Sequence, residues 1–425
     1  MTHNAVLRDK EIERMGQISL FPQTYIKPSD VWDSEVPVEK SAYVRESEPV
    51  FNNLNGLDVP KNALTMIDLF CGAGGFSLGC SWAGFFPVLG IDYLEPAFET
   101  WAKNHPNSIS CLGDIRLTKP ETIEQLLLER GVKHINLITG GVPCQGFSIA
   151  NRKHNDFDKR NFLFIEYMKF VQVFKPDYII LENVSGLRST AGGQFESEIK
   201  ANMEHLGYNV TTGMVNAADY GVPQLRHRLM FVGVRNGCSL TPLYTIPRGD
   251  HTAGYRTVED AISDLPHLGN DACATAYDVA SKSEYQALMR GEGEITIAKA
   301  ASLMNHISPN HPPETINRID ITSQGEPMYP RFKQRIRLSL REPSPTQLAG
   351  GIRPQFQFGH PTQARGLSIR ERARIQSFPD SYEFIGGIVQ ERVLTGNAVP
   401  PLMVYKLVIP IAQDIHRRNE GMSNV

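Results

Sequence analysis

Five short apolar runs, at residues 65–70, 88–91, 135–138, 178–181 and 229–232, are separated by segments long enough for a helix. Runs of four to six residues bounded by glycine or polar residues read as buried strands, and strand–helix alternation implies a doubly wound α/β sheet. With 425 residues, of which 41% are hydrophobic and 21% charged, the chain has enough apolar surface for a large core and one to three domains. It is expected to fold alone, as a monomer.

Other classes are disfavoured. No run of about 18 apolar residues occurs and no signal pattern opens the chain, so neither a membrane span nor secretion is expected, and the cytoplasm is the default. The six cysteines, at 71, 80, 111, 144, 238 and 273, form no C-x-x-C pair and no Cys/His cluster at zinc spacing. Disulfides and a metal site are therefore not expected.

Texture divides the chain into four parts. Residues 1–60 carry ten acids against six basic residues without apolar periodicity, and read as a poorly ordered leader. Within it, Gln17-Ile18-Ser19-Leu20-Phe21 resembles the Q-x-x-L-F peptides by which some bacterial proteins dock on the replication sliding clamp; so short a match also arises by chance. Residues 61–244 hold the strand–helix alternation. Residues 245–345, richer in Pro, Gly and polar residues, suggest a smaller inserted domain, and 346–425 read as a return segment completing the first, with a helix over 367–375 stopped before Pro379. The net charge of -3 argues weakly against nucleic acid, but from Arg318 to Arg374 eleven Lys/Arg face four acids, a net of +7. Such a stretch suits phosphates, or is simply a solvated face.

Chemistry-bearing residues gather where the runs end, the edge at which open α/β sheets bind ligands. After the first run comes Phe70-Cys71-Gly72-Ala73-Gly74-Gly75-Phe76, a loop whose missing side chains let a ligand approach the backbone, although a plain tight turn uses the same glycines. Asp92, about 20 residues on, sits where an acid accepts ribose hydroxyls; Tyr93 offers a flat face to a purine, and Gly113-Asp114 adds an acceptor. Together they favour an adenosyl ligand. The next run leads to Gly141-Val142-Pro143-Cys144, placing a thiol at a strand end, where a nearby cation would make it a strong nucleophile. Glu182 ends the neighbouring run, and Gln224-Leu225-Arg226-His227-Arg228 brings cations before the last.

In order, D-L-F-C-G-A-G-G-F (68–76), I-D-Y (91–93), G-D-I (113–115), G-V-P-C-Q-G-F-S (141–148), E-N-V (182–184), Q-L-R-H-R (224–228), S-P-T (344–346) and G-N-A-V-P-P (396–401) resemble the blocks of the bacterial cytosine C5 DNA methyltransferases of restriction-modification type. Eight blocks in one order are highly specific, and the match runs from about Thr65 to the C-terminal helix. The resemblance implies a Rossmann-like, S-adenosylmethionine-dependent fold with an inserted target recognition domain, acting on double-stranded DNA. It implies that Cys144 attacks C6 of a flipped cytosine, Glu182 protonates N3, and Arg228, with Arg226 nearby, holds the base at O2.

Carried over residue by residue, Phe70, Gly72, Gly74, Gly75, Asp92, Tyr93, Asp114, Ile115, Pro143, Leu163 and Asn397 would line the S-adenosylmethionine pocket. Gln145, Ser148, Arg152, Lys153 and Gln224 would face DNA, the basic segment 148–160 being a loop that closes over it. Asp-Tyr at 92–93 varies the family's acid-apolar pair, and Asn161 stands where a glycine is expected. RNA-acting relatives share the blocks, so a tRNA cytosine methyltransferase is the main alternative, and a catalytically silent DNA-binding regulator of the same fold a second. The long insertion favours DNA, and the joint presence of Cys144, Glu182 and Arg228 favours an enzyme.

Overall fold

The structure, a computed structural model, describes residues 48–143, 163–240, 243–249, 254–349 and 357–423. Its centre is an eight-stranded sheet. In chain order the strands are β1 (Val50–Asn52), β2 (Leu64–Leu69), β3 (Phe85–Asp92), β4 (Ile109–Leu112), β5 (Leu137–Gly141), β6 (Tyr178–Val184) and β7 (Tyr208–Asn216); a two-residue β8 (Gln224–Leu225) precedes β9 (His227–Arg235). The spatial order is β1-β4-β3-β2-β5-β6-β9-β7. From β4 to β6 neighbouring strands are parallel, while β9 runs antiparallel between β6 and β7. All six residues of β2 are buried, as expected of a strand covered on both faces.

Helices α1 (Gly75–Trp82), α2 (Glu95–Asn104), α3 (Pro120–Glu129), α4 (Leu163–Phe174) and α5 (Gln194–His205) supply that cover between strands. Prolines at the starts of α2 and α3 suit positions whose N–H groups lack helical partners. Beyond β9 the chain is irregular, with α6 (Val258–Ile262), α7 (Glu284–Met289) and α8 (Pro313–Ile321), before β10 (Ser344–Pro345) pairs in parallel with β8. Then come α9 (Ile369–Ile375), α10 (Ile388–Asn397) and α11 (Pro401–Ser423). Ser368 and Glu371 form a reciprocal capping box on α9, which ends before Ser377 at φ 64°. The span Ile388–Gly421, covering α10 and most of α11, is long and apolar enough by composition to cross a bilayer, but α11 buries Leu402, Met403, Val404, Leu407, Val408, Ile411 and Ile415 in the core.

Three expectations change. Residues 48–60, read as leader, add β1 antiparallel to β4, and Phe51, Leu54, Leu57 and Val59 pack on the core. Val258, Ala261, Ile262, Tyr285, Leu288 and Met289, from the region read as an insertion, share one core with α11. The basic stretch, read as suited to phosphates or as a solvated face, is half internal: Arg335, Arg365, Arg370, Arg372 and Arg374 are each at most 3% exposed, while Arg318, Arg331, Lys333 and Arg341 are exposed. Arg365 pairs with Glu371, and Arg374 lies between Asp264 and Asp380, so these guanidinium groups are spent on the fold.

Candidate active site

The turn after β2 is held in an unusual conformation. Phe70 (φ 58°), Gly72 (φ 52°) and Gly74 (φ 79°) are all left-handed, which costs Phe70 strain that glycine avoids. A Cβ on Gly72 would have only Phe70 O near it, at 4.0 Å, so open space adjoins the backbone there. The other two glycines are needed for a different reason: a Cβ on Gly74 would lie 2.4 Å from Tyr382 Oη, and one on Gly75 2.0 Å from Val399 O. The loop is thus pressed against the return segment, with Tyr382 Oη donating to Ala73 O at 2.6 Å. Gly75→Ala is therefore expected to destabilise the fold by about 1–3 kcal/mol and to weaken cofactor binding. Thermal unfolding and calorimetric titration with S-adenosylhomocysteine check this; wild-type values for both would contradict it.

Beneath the loop lies a residue that the sequence reading passed over. Asp68, fully buried in β2, accepts from Ser77 N (3.1 Å), Ser77 Oγ (2.6 Å) and Thr139 Oγ1 (2.9 Å), and Trp101 Nε1 donates to Ser77 Oγ. Burial pushes its carboxyl up to about 6 against the pull of these bonds. An acid inside a fully apolar run was the available signal, because a buried carboxyl must be hydrogen-bonded.

At the carboxyl ends of β3 and β4, Asp92 Oδ2 accepts from Gly72 N (2.8 Å) and Oδ1 from Leu94 N (2.9 Å). Burial raises its pKa, and these bonds oppose the shift. Tyr93 beside it is 37% exposed. Gly113 N donates to Asp92 O, bringing Asp114 alongside, but Arg116 Nε and Nη2 grip the Asp114 carboxylate, leaving little acceptor capacity. Ile115 is buried, Leu163 opens α4 half-buried, Pro143 closes the described part of the loop after β5, and exposed Asn397 ends α10. Open backbone at Gly72, a carboxylate pinned to the same loop and an exposed aromatic face fit an adenosyl group; Asp114, held by Arg116, fits least.

The chemistry-bearing strand ends are β5, β6 and β9. Gly141 pairs with Glu182, and a Cβ on Gly141 would lie 3.4 Å from Glu182 Oε2, so that carboxylate lies beside the chain three residues before position 144. Arg228 pairs with Val184 on β6, diagonal to Glu182 on one face, and its Nε lies 2.6 Å from Glu182 Oε1. Both side chains are nearly nine-tenths buried. The opposite sheet edge is structural: Asp177, just before β6, binds Arg235 and Arg418, and although burial tends to raise its carboxyl pKa, the bonds from His134, Arg418 and Asn136 hold it well below the ordinary range.

Two assignments need correction. Arg226, expected in catalysis, is 1% exposed and donates to the carbonyls of Gln347 (3.1 Å), Gly396 (3.1 Å) and Asn397 (3.4 Å). It joins the Q-L-R-H-R, S-P-T and G-N-A-V-P-P blocks, and is a positioning residue. Gln224, expected to face DNA, is fully buried, bonding Gln376 Oε1 through Nε2 (2.8 Å) and Gln347 N through Oε1 (3.1 Å), so its amide is committed to the protein. Cys144, Gln145, Ser148, Arg152, Lys153 and the 17–21 pentapeptide lie outside the described residues.

Burial pushes the Cys71 and Cys80 thiols up and that of Cys111 to about 12, making them poor nucleophiles. Cys238, whose carbonyl accepts from Arg418, sits at the structural edge, and exposed Cys273 bridges to Ile307 in the irregular region. None of these five stands at the ends of β5 and β6.

Residues 64–413 match the family model described as C-5 cytosine-specific DNA methylase. Among characterised proteins, the Type II methyltransferase M1.HphI of Haemophilus parahaemolyticus is 34% identical over 356 residues, covering 80% of this chain and 84% of that protein. M.DdeI of Desulfomicrobium norvegicum is 33% identical, covering 81% and 87%. Among solved structures, an Escherichia coli prophage-encoded protein described as a DNA modification methyltransferase superposes with a TM-score of 0.70 at 26% identity, covering 83% of this chain and all of that one.

Proposed function

The chain belongs to the C-5 cytosine-specific DNA methylases, and we propose that it methylates C5 of a flipped cytosine in a specific duplex sequence, with Cys144 as nucleophile. The observation that carries this reading is the Glu182–Arg228 pair, 2.6 Å apart, beside the strand end that leads to Cys144. Cytosine C5 is not nucleophilic while the ring is aromatic. Addition of the Cys144 thiolate at C6 breaks the aromaticity, and proton donation by Glu182 at N3 offsets the charge this creates. Arg228 fixes the Glu182 carboxylate and is within reach of O2 of a base hydrogen-bonded to it. S-adenosylmethionine, the family's cofactor, supplies the methyl group when bound at the Gly72, Asp92 and Tyr93 surface. Loss of the C5 proton to a base then expels the thiolate and restores the ring.

The residues around 245–345 act as the target recognition domain, and the basic segment 148–160 closes over the DNA. Extrusion of a base costs a few kcal/mol, which phosphate contacts offset. The relatives' names, Type II methyltransferases of bacteria, support a restriction-modification enzyme acting on double-stranded DNA, and we take it to be cytoplasmic and monomeric. Docking of the 17–21 peptide on a sliding clamp is open to a pull-down with purified clamp.

Bisulfite sequencing of plasmid from an expressing host tests the function. One methylated sequence context is expected; unmodified plasmid, or transfer to tRNA but not to duplex DNA, would overturn the assignment. Buried Cys71, although in the cofactor loop, has no chemical role here. Cys71→Ser is expected to keep its rate within a few-fold of wild type in a tritiated methyl-transfer assay, and loss of activity in a folded variant would contradict this.

A further inference from the structure

Between Pro327 and Glu342 the chain carries five Lys or Arg, at 331, 333, 335, 337 and 341, and no acid. Unlike the buried arginines that follow, part of this run is presented outward on a braced knob. Met328 N donates to Arg335 O (2.8 Å), Arg335 N to Phe332 O (2.9 Å), Phe332 N to Tyr329 O (3.1 Å) and Arg337 N to Glu326 O (3.0 Å), closing a tight loop. The knob has its own apolar anchor, Ile319 and Met328 with Tyr329 packed on them. Arg337 bolts its base down, donating Nη1 to the carbonyls of Ile319 (3.1 Å), Asp320 (2.9 Å) and Thr322 (2.9 Å) and Nε to Pro361 O (3.1 Å).

The tip is stiffened by stacking. Arg318 lies 4.8 Å over the Tyr329 ring, Arg335 lies 4.6 Å over Phe332, and the two rings meet edge to face. These contacts leave Arg331, Phe332, Lys333 and Gln334 exposed. An exposed, internally bonded loop ending in donors, with no carboxylate between Pro327 and Glu342 to neutralise them, fits polyanionic DNA, and Arg and Lys are the side chains that address guanine O6 and N7. The knob is also tied to the catalytic strands: Leu338 N donates to Gly359 O, and β10 pairs with β8, which leads directly into β9 and Arg228. Contact made at the tip is thereby placed relative to the Glu182–Arg228 site.

We propose that the Tyr329–Arg335 tip enters a groove of the target duplex and reads its sequence, Arg331 contacting a guanine edge and Lys333 a neighbouring phosphate. This rests on the DNA methylase reading and names the residues that give it specificity. The test is methylation profiling on a randomised duplex library, with initial rates at several salt concentrations. Arg331→Ala, and Arg331→Lys, which keeps the charge but loses the forked geometry, are expected to lower discrimination at one base position by about 10- to 100-fold. Lys333→Ala is expected to slow all sequences alike and to lower the salt slope by about one. An unchanged profile in both Arg331 variants, or a uniform loss across all sequences, would overturn the assignment of Arg331. Wild-type protein in the same assay reports on the methylase reading separately, since wild-type activity with an unaltered Arg331→Ala profile removes only the tip.

Discussion

A Cys144→Ser enzyme is expected to lose methyl transfer by about 10⁴-fold or more while still binding duplex DNA, because a hydroxyl in place of the thiol removes the nucleophile and leaves the binding surface. The Glu182–Arg228 pair is contributed by β6 and β9. Binding, read by gel shift on a methylatable duplex, should therefore stay within a few-fold of wild type. Turnover near the wild-type rate would remove the covalent mechanism. Loss of both binding and turnover would instead mark Cys144 as structural.

Arg374→Met is expected to have the largest effect on stability. The Arg374 guanidinium donates Nη1 to Asp264 Oδ1 (2.8 Å), Nη2 to Asp380 Oδ2 (2.6 Å) and Nε to Asp380 Oδ1 (2.7 Å), with all three residues fully buried. Removing it takes the main cation from two buried carboxylates, leaving Asp264 to Arg290 and Asp380 to Tyr277, and loss of one partner of a buried pair costs about 3–5 kcal/mol. Burial tends to raise the Asp380 pKa, but Arg374 and Arg370 hold the carboxyl below its ordinary value. Its contribution to stability is therefore present above the ordinary carboxylate pKa and lost as pH falls through the lowered one. Urea unfolding at neutral pH should show the full deficit, and the difference from wild type should shrink on acidification. A deficit under about 1 kcal/mol at neutral pH would show that the pair is dispensable. Because this cluster fixes α9 to the loop after α6, the variant also tests whether the region read as an insertion is welded to the return segment.

Much of the sheet was legible because its inner strands are apolar on both faces. The runs at 88–91, 178–181 and 229–232 fall within β3, β6 and β9, that at 65–70 overruns β2 by one residue, and that at 135–138 overlaps the start of β5. The edges were harder to read. β7 is half-exposed with Asn209, Thr211 and Thr212 along it, and β1 has three residues that become a strand only by pairing with β4. Candidate site residues stood out where a residue type is rare at its position, as with Asp92 at the end of β3 and Glu182 near the end of β6. Sequence could not distinguish an arginine that contacts a ligand from one that ties the chain together: Arg226 and Arg228 are two residues apart, yet one is sealed against three carbonyls and the other meets Glu182. The basic stretch was ambiguous for the same reason, since its formal charge is the same whether an arginine is spent on Asp264, as Arg374 is, or exposed, as Arg331 is.

Whether Cys144 forms a bond to C6 of the target cytosine is tested most directly by a duplex carrying 5-fluorocytosine at the methylated position. Fluorine cannot leave as the C5 proton does, so the adduct persists after methyl transfer. With S-adenosylmethionine present, intact-mass measurement should find protein plus methylated duplex in one covalent species for wild type, with peptide mapping placing the bond at Cys144, and no such species for Cys144→Ser. A wild-type enzyme that methylates ordinary duplex yet yields no adduct, or an adduct mapping to another residue, would contradict the claim.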